Sequence, residues 1–189
     1  MEKLAITEMD SMGSIRNFDP VKLVIPTLVA DEDLLSDVRS DLAGSFGPVD
    51  YESRLLPFSY TDYYREEMGP DLHRVFFSML NLMQPEKLSD AKVQTDRLER
   101  KFAVAGRRRV NLDPGMMAPG RFILATTKDH AHRIPLRAGI YGEVTLLYHR
   151  NGFEPLPWTY PDYRTADYQA ILLEIMALYR RELKDRGAG

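Results

Sequence analysis

Apolar and polar positions over residues 21–112 follow patterns that predict four strands and two helices. Between the strands, apolar residues recur at helical spacing after Asp31, a good N-cap, and after Pro85, which suits the first turn of a helix. The predicted order is β-α-β-β-α-β, which is the ferredoxin-like arrangement. The predicted strands are residues 21–29, 49–56, 72–83 and 108–112.

Pro26 lies inside the first of these predicted strands. Proline has no backbone N–H to donate, and in sheets it is confined to edge strands, first positions and bulges. The residue therefore predicts that this strand lies at a sheet edge or has a bulge there.

The rest of the chain predicts further strands and one long helix. Residues 121–127 are mostly apolar, and residues 140–149 and 152–156 flank Asn151-Gly152, a strong signal for a hairpin turn. We therefore expect an α+β fold with a mainly antiparallel sheet and helices on one face, in which a C-terminal hairpin and helix follow the ferredoxin-like core. The final helix is predicted from apolar positions at helical spacing: Tyr168, Ile171, Leu172, Ile175 and Tyr179.

The length of 189 residues fits a single domain, which we place at residues 20–184. Residues 1–19 contain acidic residues and lack the apolar stretch of a signal peptide, so they predict a flexible lead-in. Residues 185–189 are small or charged and predict a frayed tail.

The composition excludes several classes of chemistry. The sequence has no cysteine, so disulfides, thiolate nucleophiles and iron–sulfur clusters are excluded, and a reducing compartment is favoured. A formal net charge of −3 gives no overall attraction to nucleic acid or anionic membranes. No apolar run approaches the ~20 residues that span a bilayer. We therefore expect a cytoplasmic protein without membrane association, and a nucleic-acid partner is disfavoured.

Two nucleotide-binding motifs are absent from the sequence. Without G-x-x-x-x-G-K-[ST], a P-loop nucleotide site is excluded. Without G-x-G-x-x-G, a Rossmann dinucleotide site is disfavoured. The sequence therefore leaves the cofactor unassigned.

Two segments separated by one hundred residues are nearly the same. Residues 57–63 read PFSYTDY and residues 157–163 read PWTYPDY, with four identical positions of seven. One interpretation is an ancient internal duplication that places both segments beside one cleft. The other is that proline, aromatic residues and aspartate form similar turns independently.

The densest polar cluster, residues 128–133, follows directly after a predicted strand, where functional loops are common. His130 and His132 point the same way on an extended chain. They can act as general acid and base or ligate a metal such as zinc or iron. The alternative is an exposed loop of solvated charges. The candidates for acid–base chemistry are Asp113, His130, His132 and Glu143, and those for a metal are Asp129, His130 and His132.

A run of three arginines precedes Asp113. If residues 108–112 form a strand, Arg107 and Arg109 share one face and Arg108 takes the other. Arginines paired in this way can bind a phosphate or carboxylate. The alternative is an edge strand guarded by positive charge. The candidate anion ligands are Arg107, Arg109, Lys128 and Arg133.

The repeated segments supply a third group of candidates. Their aromatic rings, Tyr160 included, can form a stacking surface for a flat ligand. The alternative is structural, with the rings packed on the sheet and each aspartate capping the next turn. The candidate ligand-binding residues are Asp62, Tyr63, Trp158, Asp162, Tyr163 and Arg164.

Several long and unusual runs resemble those of one prokaryotic family, known as domain of unknown function 4416. The resemblance extends over about residues 20–184 and implies no activity, because the family is uncharacterised. The runs include residues 57–62 (PFSYTD), 108–115 (RRVNLDPG), 125–129 (ATTKD) and 156–164 (LPWTYPDYR).

Two functions from different classes remain open. The first is a small-molecule-binding domain or enzyme that acts on an anionic, possibly phosphate-bearing ligand. The second is a non-enzymatic interaction or scaffold protein that self-associates into homo-oligomers. A shared concave pocket lined by the candidate residues would support the first, and a large exposed apolar patch would support the second.

Overall fold

The computed structural model describes residues 16–150 and 152–187. Its strands are β1 (Lys22–Val29), β2 (Val49–Glu52), β3 (Leu56–Phe58), β4 (Leu72–Met79), β5 (Val110–Leu112), β6 (Gly115–Ala118), β7 (Arg121–Thr126), β8 (Ile134–Pro135), β9 (Tyr141–His149) and β10 (Gly152–Pro155). Its helices are α1 (Leu35–Phe46), α2 (Arg65–Met68), α3 (Leu88–Phe102) and α4 (Ala166–Gly187). Short 3-10 turns precede α1, α3 and α4.

The strands form one sheet in which the described pairings are antiparallel. Its neighbour order is β10-β9-β7-β6-β1-β4-β2, with β3 beside β4, β5 beside β1 and β8 beside β9. The prediction of an α+β fold with a mainly antiparallel sheet is therefore confirmed. The structure divides the predicted second strand into β2 and β3, and it contains β6 and β8, which were not predicted.

Helices cover both faces of the sheet. In β1, Leu23 and Ile25 pack with residues of α1 and α3, whereas Val24 packs with residues of α4. Successive side chains of a strand point to opposite faces, so α4 lies on the face of the sheet opposite to α1 and α3. The prediction of helices on one face is therefore wrong, because α4 returns over the face opposite to α1 and α3.

The apolar stripe predicted for the last helix faces the sheet, and Leu172, Ile175 and Tyr179 are fully buried. The Thr165 hydroxyl accepts the Tyr168 N–H at 3.4 Å and so caps the start of α4. No helix among residues 16–150 and 152–187 is long and apolar enough to cross a membrane.

Some predicted features lie outside the described residues. These are most of the lead-in, the end of the tail at residues 188–189, and Asn151 of the hairpin turn. The two strands of that hairpin are described, and β9 pairs with β10 from His149 opposite Gly152. The helix α4 continues to Gly187, beyond the predicted domain end.

The strands β5 and β6 share one side of β1. β5 pairs with the C-terminal half of β1, and β6 pairs with its N-terminal half. On its other side β6 pairs with β7, whereas no described strand pairs with the outer edge of β5. The sheet therefore opens between β5 and β7 at Asp113-Pro114, where β5 ends and β6 begins.

Pro26 lies opposite this junction. Its carbonyl accepts the Asp113 N–H at 3.0 Å. The prediction of an edge position or a bulge at Pro26 is wrong, because β1 is a central strand and its pairing with β4 runs through Pro26 without a shift of register. The proline is tolerated because its missing N–H would point toward the break between β5 and β6.

Two buried side chains of α3 replace the strand that β5 lacks. The Leu112 N–H donates to Glu99 Oε1 at 2.7 Å, and the Leu112 carbonyl accepts from Lys92 Nζ at 3.0 Å. Burial raises the pKa of Glu99. Burial alone would lower the pKa of Lys92, but the carboxylates of Asp113, Glu99 and Asp96 raise it by more. The pair satisfies a strand edge that would otherwise be buried without partners.

Gly115 provides a test of the close packing between β6 and β7. A Cβ added there would lie 2.8 Å from the Ile123 carbonyl oxygen and 2.8 Å from the Phe122 ring. We expect Gly115→Ala to lower the free energy of unfolding by about 1–3 kcal/mol in urea denaturation, because backbone and ring must move apart. The matched control is Gly120→Ala, where no atom lies within 4 Å of the added Cβ. Equal unfolding midpoints for the two variants would contradict the packing described.

Candidate ligand-binding site

A cavity of about 640 Å³ lies where the sheet opens between β5 and β7. Its volume is within the range of roughly 300–1,000 Å³ that is common for small-molecule sites. Its charged wall residues are Arg74, Lys92, Arg108, Lys128, Arg133, Asp113, Glu143 and Asp162. Its aromatic wall residues are Phe58, Tyr60, Tyr63, Tyr64, Tyr160 and Tyr163.

Arg74 on β4 is the most deeply buried arginine of the wall, with 3% of its surface exposed. Its Nη2 lies 3.4 Å from Asp162 Oδ2, and its Nη1 lies 3.6 Å from Asp113 Oδ2. Its Nε donates to Tyr168 Oη at 3.2 Å, and the guanidinium lies 5.1 Å from the centre of the Phe58 ring. The Nη1 atom is buried and has no hydrogen-bond partner.

Arg108 links the cavity wall to α2 and α3. Its Nε and Nη2 donate to the two carboxylate oxygens of Glu67 at 2.8 and 2.7 Å. Its Nη1 donates to Asn111 Oδ1 at 2.9 Å and contacts Glu99 Oε2 at 3.3 Å. Asn111 Nδ2 in turn donates to Asp113 Oδ2 at 2.7 Å. The side chain of Asp113 is therefore held in place by hydrogen bonding rather than left free in the loop.

Glu143 on β9 is the buried carboxylate on the other side of the cavity. Its Oε2 accepts from Arg133 Nε at 2.7 Å and lies 2.8 Å from His132 Nε2. Its Oε1 is buried without a hydrogen-bond partner. Arg133 also donates from Nη2 to Tyr160 Oη at 2.8 Å, so one arginine positions both a carboxylate and a phenol.

Lys128 and Tyr63 lie at the exposed end of the cavity. The Lys128 Nζ is 4.0 Å from the centre of the Tyr63 ring, which is a cation–π geometry. Tyr63 is 59% exposed. The pair brings one residue of the first repeated segment and one residue of the loop after β7 to the same place.

Asp162 and Tyr163, from the second repeated segment, are buried in the wall. Burial raises the pKa of Asp162, although the charge of Arg74 acts in the opposite direction. Burial also raises the pKa of Tyr163 well above its ordinary value, and its hydroxyl has no hydrogen-bond partner. Tyr163 is therefore a neutral phenol with unused hydrogen-bonding capacity.

The structure brings seven of the candidate residues into the cavity wall. They are Tyr63, Asp113, Lys128, Arg133, Glu143, Asp162 and Tyr163. The repeated segments at residues 57–63 and 157–163 both contribute residues to the wall.

The paired-arginine hypothesis needs correction. Arg107 is exposed, and Arg109 binds Asp31 at 2.8 Å, so neither lies in the cavity wall, which contains Arg108 instead. The alternation assumed a strand from residue 108, but β5 begins at Val110 after a bend at Arg109. The side chains before that bend do not follow the strand pattern.

The remaining candidates lie outside the wall. Asp62 is exposed and pairs with Arg65 at 3.3 Å. Trp158 stacks on His132 with ring centres 4.9 Å apart and donates from Nε1 to the Val144 carbonyl. Arg164 donates from Nη2 to the Leu156 carbonyl at 2.6 Å and so braces the loop before α4.

The proposed metal ligands do not assemble. His130 and His132 are neighbours, with ring centres 4.5 Å apart, but His132 is engaged with Glu143. Asp129 and His130 are exposed and lie outside the cavity wall. Among the described residues, no group of three or more histidine, aspartate and glutamate side chains is placed to hold a metal ion.

Sequence reasoning missed five charged or phenolic residues of the wall, namely Arg74, Lys92, Arg108, Tyr60 and Tyr64. Two of them left a signal. Arg74 is a lone charge inside the apolar strand LHRVFFSM, and Lys92 follows Leu88 at helical spacing on the buried face of α3. A charge on the buried face of a predicted element needs a partner, so it indicates a buried polar cluster in the folded protein.

Asp162 gives a pH test of the buried wall. Because the folded-state pKa lies above the ordinary value of 3.8, the folded protein binds this proton more tightly than the unfolded chain does. The stabilisation is full below the unfolded-state value and is lost as the pH rises through the folded-state value. We expect the free energy of unfolding of the wild type, minus that of Asp162→Asn, to fall across this window and then to level off.

The measurement is urea denaturation at a series of pH values from about 4 to 7. Asp62→Asn is the matched control, since Asp62 holds the equivalent position in the first repeated segment and its side chain is 86% exposed. We expect little change in stability from that substitution. A wild-type advantage over Asp162→Asn that grows with pH would contradict the raised pKa.

Comparison with known proteins places the chain in one family. No curated protein and no solved structure matches it. Residues 19–179 match the model of a family described as a domain of unknown function, DUF4416. The matched range includes the whole cavity wall and the unusual runs around Asp113 and Asp162. The chain therefore belongs to the domain of unknown function 4416 family.

Proposed function

We propose that this protein binds a small anionic molecule in the cavity between β5 and β7. The observation that carries the proposal is Arg74, which is 3% exposed and lines the cavity with a buried Nη1 that has no hydrogen-bond acceptor among the described residues. A buried donor without an acceptor costs free energy. An anionic group of a ligand at Nη1 supplies that acceptor.

The carboxylates near Arg74 leave room for such a contact. Their oxygens lie 3.4 and 3.6 Å from the guanidinium nitrogens, at Asp162 and Asp113. Charge-assisted N–H···O bonds are usually about 2.7–2.9 Å long. The arginine is therefore surrounded by negative charge at a distance but retains the capacity for a short hydrogen bond.

Lys128 supplies a second cation at the exposed end of the cavity. Among the described residues no carboxylate lies within ion-pair distance of its Nζ, which instead rests on the Tyr63 ring. An anion that enters the cavity would meet Lys128 near the surface and Arg74 in the interior. Arg107 and Arg109 lie outside the cavity wall and have no part in this route.

The contacts favour binding over acid–base catalysis. Asp113 accepts from Asn111, Glu143 is held by Arg133 and His132, and His130 lies outside the wall. Carboxylates that hydrogen bonds hold in place, as Asp113 and Glu143 are, are suited to orient a ligand. Ligand binding, with these residues as its framework, is therefore the function that we propose.

An internal duplication, which we include in the proposal, would account for the similar turns of the two repeated segments. The Asp62 carbonyl accepts the Arg65 N–H at 3.0 Å, and the Asp162 carbonyl accepts the Thr165 N–H at 3.1 Å. Each repeated segment thus forms a turn that leads into a helix, and each contributes its two tyrosines to the cavity. These are Tyr60 and Tyr63 from the first and Tyr160 and Tyr163 from the second.

We propose in addition that the first part of the sheet is a ferredoxin-like core. The neighbour order β5-β1-β4-β2 and the helices α1 and α3 on one face support this interpretation. The strands β6 to β10 and α4 would then be an addition that encloses the cavity from the other side.

If the protein binds an anion in the cavity, the anion should raise the melting temperature, and this effect should depend on the charge of Lys128. We expect at least one anion in a panel of phosphorylated and carboxylated metabolites to raise the melting temperature, with stabilisation of about 2.7 kcal/mol at a hundredfold excess over Kd. Lys128→Met should weaken the binding of that anion about tenfold, because it removes one charge-assisted contact.

The matched control is Lys184→Met, which makes the same change near the end of α4, outside the cavity wall. We expect wild-type affinity from this variant. If both variants lose affinity for the anion equally, the loss reflects the lower overall charge of the protein and not a contact made by Lys128. A panel in which no anion stabilises the protein would overturn the proposal and favour the self-associating alternative.

A further inference from the structure

Unsatisfied polar atoms are concentrated in the cavity wall. Among the described residues, four buried side-chain polar atoms have no hydrogen-bond partner, and three belong to the wall: Arg74 Nη1, Glu143 Oε1 and the Tyr163 hydroxyl. The fourth is on Glu182, outside the wall. Buried polar atoms rarely lack partners, so this concentration indicates a wall that contacts a polar ligand. The first atom is a donor, the second an acceptor and the third can be either.

Glu143 is a preorganised acceptor. Its side chain is 2% exposed, and its Oε2 is held at 2.7 Å by Arg133 Nε and at 2.8 Å from His132 Nε2. His132 is itself held by stacking on Trp158. Because one carboxylate oxygen is held, the position of the other is set before a ligand arrives, which lowers the cost of binding.

The group that meets Glu143 Oε1 must donate a hydrogen bond, and the surrounding charge favours a neutral donor. The guanidinium of Arg133 already balances the Glu143 carboxylate. A ligand ammonium at Oε1 would bring a second positive charge close to Arg133, whereas a hydroxyl adds no charge. The wall as a whole holds five cationic side chains and three carboxylates, which likewise disfavours a cationic ligand.

We propose that the ligand is a hydroxylated anion, whose anionic group contacts Arg74 and whose hydroxyl donates to Glu143 Oε1. This inference rests on the proposed anion binding and narrows the ligand to polyol phosphates and hydroxy carboxylates. Both classes of compound combine an anionic group with a hydroxyl, which are the two groups that Arg74 and Glu143 would contact.

The aromatic wall suits a polyol ring. Tyrosine offers an apolar face to ring C–H groups and a hydroxyl to ring hydroxyls. Burial raises the pKa of Tyr160, so its phenol keeps its proton at neutral pH. Arg133 Nη2 donates to the same oxygen at 2.8 Å, which leaves the phenol hydrogen available for a ligand oxygen. The cavity of about 640 Å³ accommodates a six-membered ring with its anionic group.

Two matched pairs of compounds test the inference on the wild-type protein by isothermal titration calorimetry. The phosphate pair is myo-inositol 1-phosphate and cyclohexyl phosphate, and the carboxylate pair is quinate and cyclohexanecarboxylate. Each pair keeps the ring and the anion and differs in the hydroxyls. We expect the hydroxylated member to bind at least about tenfold more tightly in the pair whose anion fits Arg74. The pair with the higher affinity identifies the anion as phosphate or carboxylate.

Glu143→Gln tests the assigned acceptor. We expect this variant to lose most of the preference for the hydroxylated member while it binds the member without hydroxyls within about threefold of wild type. The matched control is Glu154→Gln on β10, which makes the same change at an exposed position outside the wall and should retain the preference. A preference that survives in Glu143→Gln would overturn the role of Glu143.

The remaining outcomes separate this inference from the function on which it rests. Equal binding of both members of a pair by the wild type would overturn the hydroxyl inference and leave anion binding intact. Failure of all four compounds to bind would overturn both. If Glu143→Gln does not fold, as a thermal melt would show, the wild-type comparison of the matched pairs decides by itself.

Discussion

The unpaired edge of β5 at Leu112 is the constraint on which the cavity depends. A backbone N–H and carbonyl that are buried away from water require partners, and no described strand reaches this edge. A strand added there would close the gap that now forms the cavity. The helix α3 instead supplies Glu99 to the N–H and Lys92 to the carbonyl. Because both groups are satisfied from the side, the sheet can remain open between β5 and β7 without the cost of an unsatisfied strand edge.

The same arrangement brings connected charges into the interior. Glu99 also contacts Arg108, and Arg108 donates a hydrogen bond to Asn111. Asn111 in turn donates to Asp113, whose carboxylate faces Arg74. Buried ion pairs add little net stability, because the desolvation of two charges offsets most of their attraction. A hydrophobic filling of the same space would serve folding at least as well. The network fits the anion binding that we propose, since a ligand with an anionic group gains from donors that the fold already holds in place.

Local periodicity predicted the elements that one segment determines by itself, such as the buried stripe of α4 and the pairing of β9 with β10. It could not predict the burial of Arg74, which depends on β4 and α4 coming together around one side chain. The alternation of Arg107 and Arg109 failed because the strand begins only at Val110, after a bend at Arg109. The covering of both sheet faces did leave a signal. β1 is apolar at odd and even positions alike, from Leu23 onward, and such a run is typical of a strand buried on both faces.

The two repeated segments show how one turn acquires different chemistry in two places. In both, the aspartate carbonyl accepts an amide three residues later, and two tyrosines reach the cavity. The helix that follows makes the difference. The four-residue helix α2 leaves Asp62 exposed beside Arg65, whereas α4 packs along the sheet and carries Asp162 into contact with Arg74. Only the second segment therefore places a carboxylate inside the cavity. Similar sequences give both sides of the cavity their aromatic rings, and the packing of the next helix decides which side also has a buried charge.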